Sequence, residues 1–479
     1  MPADGLTTLA AWWDPALAAL ALAALAGALG LWAGCHALLT KRRPRSAFGW
    51  IAVCLMFPLA GALLYYLFGI NRAQRRARRF RDDGVWEPPP SPHRVPAPAD
   101  TDDLARLGEA VSGEPRLAGN RVQILHGGEQ AYPVMLDAIE AAEQRIDLVT
   151  YIFDTDATGR AFADALGRAV ARGVAVRVLL DGVGELYSWP RARRMLGKRG
   201  VAVRRYLPPK LMPPSFMINL RNHRKILLVD DRVAFTGGMN ISDRHLAARQ
   251  DNARRVVDLH VALHGPVLAG LQRVFHNDWV HAGADEDEPF LQPAPVGSSL
   301  CRVIADGPDE PVDRLLLVLV GAVSLARRRV LLMTPYFIPP RELIGALQSA
   351  ALRGVEVQVV LPGRNNLFFV HRATRHGLWE LLQRGVKVYY QPPPFVHSKL
   401  VLVDDQYAQV GSANIDPRSL RLNFELNVEI FDPAVAAVLW AHADAAVARS
   451  RAVTLAEVDA RRLPTRLADG LMWLFSPYL

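Results

Sequence analysis

The sequence predicts an α/β fold in which two α/β/α repeats, each with a mixed sheet, are related by pseudo-two-fold symmetry and follow a two-helix transmembrane hairpin. Three observations predict it. The segment at 222–240 returns 174 residues later at 396–414, with nine of 19 positions identical and no gap. Alternating strand and helix patterns precede both copies. Near the amino terminus, two long apolar runs contain no Asp, Glu, Lys or Arg.

The two uncharged runs, residues 15–40 and 46–70, are each long enough to cross a bilayer, for which about 20 apolar residues suffice. A cleaved signal peptide is the alternative for the first run, but no basic residue precedes Lys41 and a second run follows. Residues 1–70 are therefore predicted to form a transmembrane hairpin, in which Pro58 kinks the second span. Six arginines at 72–81 outnumber the four basic residues between the spans, which favours a cytoplasmic position for the rest of the chain.

Residues 71–118 are rich in arginine and proline and are predicted to be a linker. One repeat is then expected at 119–295 and the other at 296–479. Matching elements occur in the same order in both, namely a strand, a helix and a strand introduced by Arg-Gly-Val (146–153, 157–171 and 172–180; 330–338, 341–352 and 353–361). A proline-rich apolar insertion at 207–221 in the first repeat is expected to be either a lipid contact or an ordinary packed loop.

The repeated segment carries the polar side chains of a candidate site. In both copies His-x-Lys precedes four apolar residues and an Asp, and a glycine-containing corner ends in Asn. Alternate residues of a strand share a face, so His and Lys are expected to project together, about 6–7 Å apart. A nucleophile, a cation and backbone N–H groups exposed by glycine together suit a phosphate group. These residues are His223, Lys225, Asp230, Gly238 and Asn240 in one copy, and His397, Lys399, Asp404, Ser412 and Asn414 in the other.

The composition indicates an anionic partner, because the net charge is +9 at pH 7 and the isoelectric point is about 9.7. Nucleic acid and anionic lipid both fit that charge. The basic residues are dispersed and lack the interleaved aromatic residues of a single-strand groove, so nucleic acid is not expected. Cys35, Cys54 and Cys301 show neither a disulfide pattern nor metal-ligand spacing. The sequence carries no signal for an oligomeric state.

The paired His-x-Lys-x4-Asp and Gly-x-x-Asn patterns resemble those of the phospholipase D superfamily, which would make both domains phospholipase D-like repeats. Three further stretches narrow the resemblance to bacterial cardiolipin synthases. These are the amino-terminal apolar hairpin with Phe57–Gly69, the segment Thr334–Pro339, and Asn414–Leu420 followed by Asn423–Asn427. The carboxy-terminal Ser476–Leu479 is also similar, with Tyr478 where the family more often has Leu. The resemblance covers nearly the whole chain.

The resemblance implies a two-step phosphatidyl transfer without metal or cofactor. His223 would be the nucleophile that forms a phosphohistidine, and His397 the acid and base. Lys225, Lys399, Asn240 and Asn414 would hold the phosphate oxygens, with Ser412 and Gly238 as weaker candidates. Two phosphatidylglycerol molecules would give cardiolipin and glycerol, at the cytoplasmic face of a bacterial inner membrane. Arg72–Arg81 could also bind anionic headgroups.

Four carboxylates have candidate supporting roles. Asp230 and Asp404, which share the catalytic motif, are expected to hold each hairpin through hydrogen bonds, with a part in the reaction as the alternative. Asp258 and Glu425 lie in apolar strand-like stretches, where a carboxylate needs a partner. The resemblance implies that each orients the histidine of the opposite repeat, and a local salt bridge is the alternative.

Two other functions remain compatible with the motifs. A phospholipase D-type hydrolase would use water as acceptor, and its motifs would be the same. A membrane-tethered nuclease would explain the basic charge but not the double apolar run.

Overall fold

The computed structural model describes residues 15–41, 44–69, 94–95, 103–209, 220–284, 289–310 and 313–476. The chain divides into an amino-terminal unit, Met1–Arg76, and a larger unit, Ala77–Leu479. The predicted basic stretch at 72–81, positions 210–219 of the predicted insertion, and residues 477–479 lie outside the described residues.

The amino-terminal unit begins with helix α1, Pro15–Thr40, whose 26 residues are uncharged. At 1.5 Å per residue its length is about 39 Å, enough to cross the hydrocarbon core of a bilayer. Within the described part of the chain it is the one helix that is long and apolar enough to do so.

The second predicted span, 46–70, is interrupted at Pro58, where a kink was expected. The chain forms α2 (Pro44–Met56) and α3 (Pro58–Leu64), and a π-helical turn at Tyr65–Gly69 follows. Phe57 separates α2 from α3 with φ −131° and ψ 71°, because a residue before proline is disfavoured in the helical region. Neither α2 nor α3 alone has the roughly 20 residues that a spanning helix needs, but the interrupted helical run from Pro44 to Gly69 has 26 residues.

Small residues let these helices pack closely. A Cβ at Gly30 of α1 would overlap the carbonyl of Cys54 in α2. Nδ1 of His36 lies 2.7 Å from the hydroxyl of Tyr65, which joins α1 to the π-helical turn. The predicted hairpin is therefore present as one long helix packed against a broken one.

The larger unit contains 18 strands within the described residues. They are β1 (Arg94–Val95), β2 (Arg116–His126), β3 (Arg145–Thr150), β4 (Ala175–Asp181), β5 (Ala202–Tyr206), β6 (Ile226–Val229), β7 (Val233–Gly237), β8 (Val256–Val257), β9 (Leu259–His264), β10 (Ser299–Asp306), β11 (Arg329–Met333), β12 (Glu356–Pro362), β13 (Lys387–Gln391), β14 (Phe395–Val396), β15 (Leu400–Val403), β16 (Tyr407–Gly411), β17 (Glu425–Phe431) and β18 (Arg451–Val453).

The helices of this unit continue the numbering. They are α4 (Asp103–Ser112), α5 (Gly127–Glu140), α6 (Ala157–Ala171), α7 (Ala192–Gly197), α8 (Leu268–His281), α9 (Arg314–Leu325), α10 (Arg341–Leu352), α11 (Phe368–Leu382), α12 (Pro433–Ala448), α13 (Leu455–Asp459) and α14 (Leu463–Leu474). Short 3-10 turns lie at Gly184–Tyr187 and Asp243–His245.

The sheet confirms the predicted α/β fold with mixed strand directions. The first repeat has the strand order β2-β9-β7-β6-β3-β4-β5, and the second has the matching order β10-β17-β16-β15-β11-β12-β13. The last three strands of each set are parallel, whereas the hairpins β6–β7 and β15–β16 are antiparallel. β2 and β10 pair antiparallel, so both repeats share one continuous sheet.

Three apolar cores hold the sheet. One packs mainly under the first repeat and includes Phe162 and Leu166 of α6, and another packs under the second repeat and includes Leu343 and Leu347 of α10. The third core combines residues of both repeats and contains α8 and α12. Because this shared core joins the two halves, it fixes the position of one His-x-Lys segment relative to the other.

The predicted linker at 71–118 contains a helix, α4. Leu104 and Val111 of α4 pack against the core of the second repeat, and the carbonyl of Ala105 accepts a hydrogen bond of 2.9 Å from Arg302. Arg302 is fully buried and also pairs with Glu429 at 2.5 Å. The part of this segment nearest the repeats therefore packs on the second repeat and is not a linker. Its amphipathic spacing is typical of a packed helix, although its overall composition is that of a linker.

Candidate active site

Both His-x-Lys segments lie at the edge of the sheet where the parallel strands end. β6 begins with Ile226 opposite Val149, near the end of β3, and β15 begins with Leu400 opposite Met333, at the end of β11. The residues just before β6 and β15 are therefore at the carboxyl edge of the parallel strands. Ligand sites of α/β sheets form at this edge.

Each His-x-Lys segment pairs with a strand of the opposite repeat. The backbone N–H of His223 donates to the carbonyl of Phe424 at 2.9 Å, and that of His397 donates to the carbonyl of Val257 at 2.8 Å. Phe424 directly precedes Glu425, and Val257 directly precedes Asp258. These short parallel bridges build one site from both halves.

The histidine side chains also pair with carboxylates of the opposite repeat. Nδ1 of His223 lies 3.0 Å from Oε2 of Glu425, and Nδ1 of His397 lies 2.7 Å from Oδ2 of Asp258. Both carboxylates are buried. A carboxylate at Nδ1 places the proton on that nitrogen of a neutral imidazole and leaves the lone pair on Nε2. Both histidines therefore present Nε2 for reaction.

Ser412 and Gly238 occupy equivalent corners and support the carboxylates differently. The hydroxyl of Ser412 donates to Glu425 at 2.5 Å, and the carbonyl of Ser412 lies 3.2 Å from Nδ1 of His223. At Gly238 a Cβ would overlap the carboxylate of Asp258. Glycine is thus required for the close approach of Asp258, while the longer Glu425 leaves room for a serine.

Lys225 and Lys399 are both buried beside the histidines. Nζ of Lys225 donates to the carbonyl of His223 at 2.6 Å. Nζ of Lys399 donates to the carbonyl of His397 at 2.5 Å and lies 2.9 Å from Nδ1 and 3.0 Å from Nε2 of the same residue. Burial lowers the pKa of Lys225 to about 7 and that of Lys399 to about 8. The nearby carboxylates therefore offset only part of the cost of burying each ammonium group.

The electrostatics favour neutral imidazoles. Burial lowers the pKa of His223, and Lys225 acts in the same direction, although Glu425 opposes them. Burial lowers the pKa of His397 well below the ordinary value, and Lys399 adds to this shift. Burial alone would raise the pKa of Glu425, but His223 and Lys225 lower it overall. Glu425 is thus an anion able to hold the N–H of His223.

The two asparagines lie at the same place in each repeat. Oδ1 of Asn240 accepts the backbone N–H of Ile152 at 3.2 Å, which leaves its amide nitrogen as a possible donor to a ligand. Nδ2 of Asn414 lies 3.0 Å from Oγ of Ser419, and Oδ1 of Asn414 is buried without a hydrogen-bond partner among the described residues. Rotating this amide by 180° would let Ser419 donate to Oδ1 and would free Nδ2 as a donor.

Comparisons with known proteins match this architecture. The family model "Cardiolipin synthase, PLD-like domain" matches residues 135–279 and 319–446, and the model "Phospholipase_D-nuclease N-terminal" matches residues 28–69. The chain is 34% identical over 420 residues to cardiolipin synthase A of Pseudomonas entomophila, covering 85% of this chain and 87% of the relative. The chain belongs to the cardiolipin synthase family.

A relative from Pseudomonas aeruginosa, also a cardiolipin synthase A, is 33% identical over 467 residues, covering 94% of both chains. Among solved structures, phosphatidylserine synthase of Haemophilus influenzae superposes with a TM-score of 0.61 at 15% identity, covering 78% of this chain and all of that one. This second likeness shows a shared fold. Together with the apolar helix α1, membership of the cardiolipin synthase family identifies a membrane-associated protein.

The structure separates Asp230 and Asp404 from the reacting groups of this cardiolipin synthase family member. Each follows a four-residue strand, about 17 Å along the chain from its lysine. Asp230 accepts the backbone N–H groups of residues 143–145, and Asp404 accepts those of residues 327–329. These contacts agree with the expected hydrogen-bonding role of both carboxylates, which tie the turn of each hairpin to the loop before β3 or β11.

Replacing Asp230 or Asp404 with alanine is expected to lower stability rather than chemistry. Three backbone N–H groups would lose their acceptor, at a cost of about 1–3 kcal/mol for each variant. Alanine would also be strained at φ 50° and 49°, where aspartate and asparagine are better tolerated. Thermal unfolding should therefore show a lower Tm, while turnover per folded molecule stays within a few-fold of the unchanged protein.

The control for this pair of variants is asparagine at the same positions, which keeps one acceptor oxygen and tolerates the backbone conformation. Asp230→Asn and Asp404→Asn should recover most of the lost Tm. An alanine variant with unchanged Tm and little turnover would contradict the structural role.

The structure adds residues that the sequence did not indicate. The ring of Tyr151 lies 5.1 Å from that of His223, and the ring of Tyr336 lies 6.3 Å from that of His397. Tyr151 directly follows β3, whereas Tyr336 lies three residues after β11 and corresponds to Ile152 of the first repeat, so no repeated residue marked them. They form aromatic walls beside the two histidines.

His245 is a second addition. Its buried ring accepts the backbone N–H of Asn240 at 3.2 Å and lies 6.4 Å from the ring of His397. Burial lowers the pKa of His245 to about 3, so the ring is neutral. The equivalent residue in the second repeat is Ser419, which contacts Asn414. Both lie five residues after an asparagine, but the two residue types differ, so no repeated residue marked the position.

The middle residue of His-x-Lys also differs between repeats. Arg224 is buried and pairs with Asp278 at 2.5 Å, and its Nε donates to the carbonyl of Glu425 at 3.1 Å. Ser398 takes this position in the second repeat and is buried with no partner for its hydroxyl in the described chain. Arg224 therefore fixes the backbone of the strand that carries Glu425.

Proposed function

We propose that this chain is a cardiolipin synthase, which transfers a phosphatidyl group from one phosphatidylglycerol to another and releases glycerol. The observation that carries the proposal is the crossed pairing of His223 with Glu425 and of His397 with Asp258, with one lysine beside each histidine. Two oriented imidazoles and two cations in one site suit double displacement at a phosphodiester. Family membership supports the phospholipid substrate.

In the first step, Nε2 of His223 attacks the phosphorus of one phosphatidylglycerol. The bond between phosphorus and the oxygen of the headgroup glycerol breaks, and Nε2–H of His397 gives its proton to that oxygen. Glycerol leaves, and the phosphatidyl group stays bound to His223. Glu425 stabilises the positive charge on the His223 ring by holding its Nδ1–H.

In the second step, a headgroup hydroxyl of another phosphatidylglycerol gives its proton to His397. The oxygen attacks the phosphorus, the bond from phosphorus to His223 breaks, and cardiolipin leaves. Lys225, Lys399, Asn240 and Asn414 hold the non-bridging oxygens through both steps and stabilise the charge that develops on them. Ser412 and Gly238 support the carboxylates at the histidines.

The first step requires a proton on His397, and the free site opposes it because Lys399 lies 3.0 Å from its Nε2. We infer that the anionic phosphodiester draws Lys399 to its oxygens. The added negative charge then raises the pKa of His397 and allows it to act as the acid. Substrate binding would thus place Lys399 at the phosphate oxygens and favour the protonated form of His397.

The tether fits lipids that never leave the bilayer. We place the larger unit at the cytoplasmic face of a bacterial inner membrane, with α1 and the broken helix α2–α3 as a multi-pass anchor. The basic residues at 72–81 would contribute an attraction to anionic headgroups of about 1 kcal/mol each.

Purified full-length protein given phosphatidylglycerol alone should produce cardiolipin and glycerol in equal amounts. The reason is that the site holds the phosphatidyl group on a histidine until a second lipid hydroxyl arrives. Lipid products separated by chromatography and identified by mass spectrometry provide the measurement. Phosphatidic acid as the main product, with glycerol but no cardiolipin, would indicate a hydrolase and contradict the transferase.

A further inference from the structure

Two exposed apolar loops border the site at equivalent positions of the repeats. After β4 come Leu186, Tyr187 and Trp189, and Trp189 is 77% exposed. After β12 come Leu367 and the first two residues of α11, Phe368 and Phe369, and Phe368 is 60% exposed. Monomeric soluble domains rarely leave such residues grouped in solvent, so the pairing of the two loops indicates a partner.

Each loop contacts the aromatic wall of one histidine. The ring of Tyr187 lies 6.1 Å from that of Tyr151, which is next to His223. Asn366, just before the second loop, accepts the hydroxyl of Tyr336 at 3.0 Å, and Tyr336 is next to His397. Each loop therefore lies beside the tyrosine that contacts one of the two histidines.

Helix α14 continues this surface. Its buried face carries a charged residue and its exposed face is apolar, which is the opposite of the usual arrangement in a soluble domain. Its inward face carries Asp469, which is fully buried and bonded to Arg372, Arg375 and Arg461. Its outward face carries leucines spaced four, four and three residues apart, and Leu467 is 64% exposed. The exposed leucines are Leu463, Leu467, Leu471 and Leu474.

The helix lies beside the second loop. Met472 of α14 packs with Val370 and Ala373 of α11, and Tyr336 packs on the same cluster. Because α11 begins at Phe368, the leucine face and the second loop belong to one region of the surface. The two loops and the four leucines of α14 are named here the cleft-side apolar face.

Basic residues outnumber acidic ones along the segments that carry this face. Residues 186–200 contain five basic side chains and no acidic one, and residues 363–379 contain three arginines and no acidic one. Four of these charges are paired within the larger unit, since Arg193 and Arg199 meet Glu185 and Asp164, and Arg372 and Arg375 meet Asp469. The remaining excess of positive charge disfavours the pairing of two copies of this face. Aromatic and aliphatic side chains bordered by arginine suit the interface of an anionic bilayer, where the rings reach headgroup depth and the guanidinium groups meet phosphates.

We propose that the cleft-side apolar face docks the larger unit on an anionic lipid bilayer and places the opening of the site at the headgroups. This inference rests on the proposed function, because a bilayer phospholipid must reach His223 from the membrane surface. Docking is separate from anchoring by α1, since α1 holds the chain at the membrane whichever face of the larger unit points toward lipid.

The test uses the full-length protein and the double variant Leu467→Glu, Leu471→Glu. Turnover of phosphatidylglycerol in bilayers should fall at least about tenfold, because each leucine loses its insertion into lipid. Turnover of short-chain phosphatidylglycerol dispersed in detergent should stay unchanged. Leu352→Glu is the matched control, since Leu352 is an equally exposed leucine at the end of α10 and lies outside the face. Unchanged bilayer turnover, or equal loss in both media, would overturn the proposal.

A second readout does not need activity. A polarity-sensitive fluorophore is attached to Leu471→Cys or Leu352→Cys in full-length protein carrying Cys35→Ser, since the other two cysteines are buried. In vesicles of phosphatidylglycerol, lipid-borne quenchers should quench the label at 471 and spare that at 352. Equal quenching at both positions would contradict docking. If 471 is quenched while no cardiolipin forms, docking stands and the proposed function fails.

Discussion

His223→Ala is expected to lower kcat for cardiolipin formation by at least about 10⁴-fold, because the variant lacks the atom that forms the covalent intermediate. His397→Ala should lose about 10²–10⁴-fold, the usual contribution of a general acid and base. Steady-state turnover of phosphatidylglycerol in bilayers measures both effects. Neither variant should unfold, because the backbone hydrogen bonds of residues 223 and 397 with the opposite repeat do not involve the imidazole ring.

His264→Ala is the control for these variants. His264 ends β9, where its ring bonds the carbonyl of Arg232 at 2.8 Å, and it takes no part in the site. Its turnover should match that of the unchanged protein. If His223→Ala keeps a tenth or more of the turnover of the unchanged protein, His223 is not the nucleophile.

Lys225→Met and Lys399→Met are each expected to lower kcat/KM by about 10²–10³-fold, because a buried cation is lost from the oxygens of the reacting phosphate. The same cations predict a pH dependence. With pKa values of about 7 and about 8, both lysines are charged at low pH and lose charge as the pH rises. The pH dependence of kcat/KM reports the pKa values of the free enzyme, so kcat/KM should fall as the pH rises from about 7 to above about 8.

The separate lysines can be distinguished by the profile. Lys225→Met should keep a fall near pH 8 and lose the one near pH 7. Lys387→Met is the control, because Lys387 is an exposed lysine of β13 paired with Glu356. An unchanged pH profile in Lys225→Met would contradict a role for this ammonium group in binding phosphate.

Sequence reasoning predicted the parts of the site that are local. The repeated segment placed His223, Lys225 and their counterparts at matching positions, and strand geometry predicted their common direction. The pairing of His223 with Glu425 joins residues about 200 positions apart. No local pattern contains that pairing, so it came from family resemblance and not from spacing. The buried His245 was missed because one histidine in a turn carries no signal by itself.

The same distinction explains the differences in the fold. The second apolar run has the composition of a span, but a single residue pair, Phe57–Pro58, ends one helix and begins another. Helix α4 lies in a stretch whose overall composition is that of a linker. The orientation of α14 depends on three arginines that meet Asp469 only in the folded chain. Composition predicts how much apolar surface exists, and tertiary contacts decide which way it faces.

The most direct test of the mechanism is acid-quenched mass spectrometry of the full-length protein mixed with phosphatidylglycerol. The account predicts a phosphatidyl adduct on His223 in the unchanged protein, its accumulation in a variant that lacks the base for the second step, and its absence from His223→Ala. An adduct on His397 would exchange the roles of the two histidines. Cardiolipin formed with no adduct on either histidine would contradict the covalent mechanism.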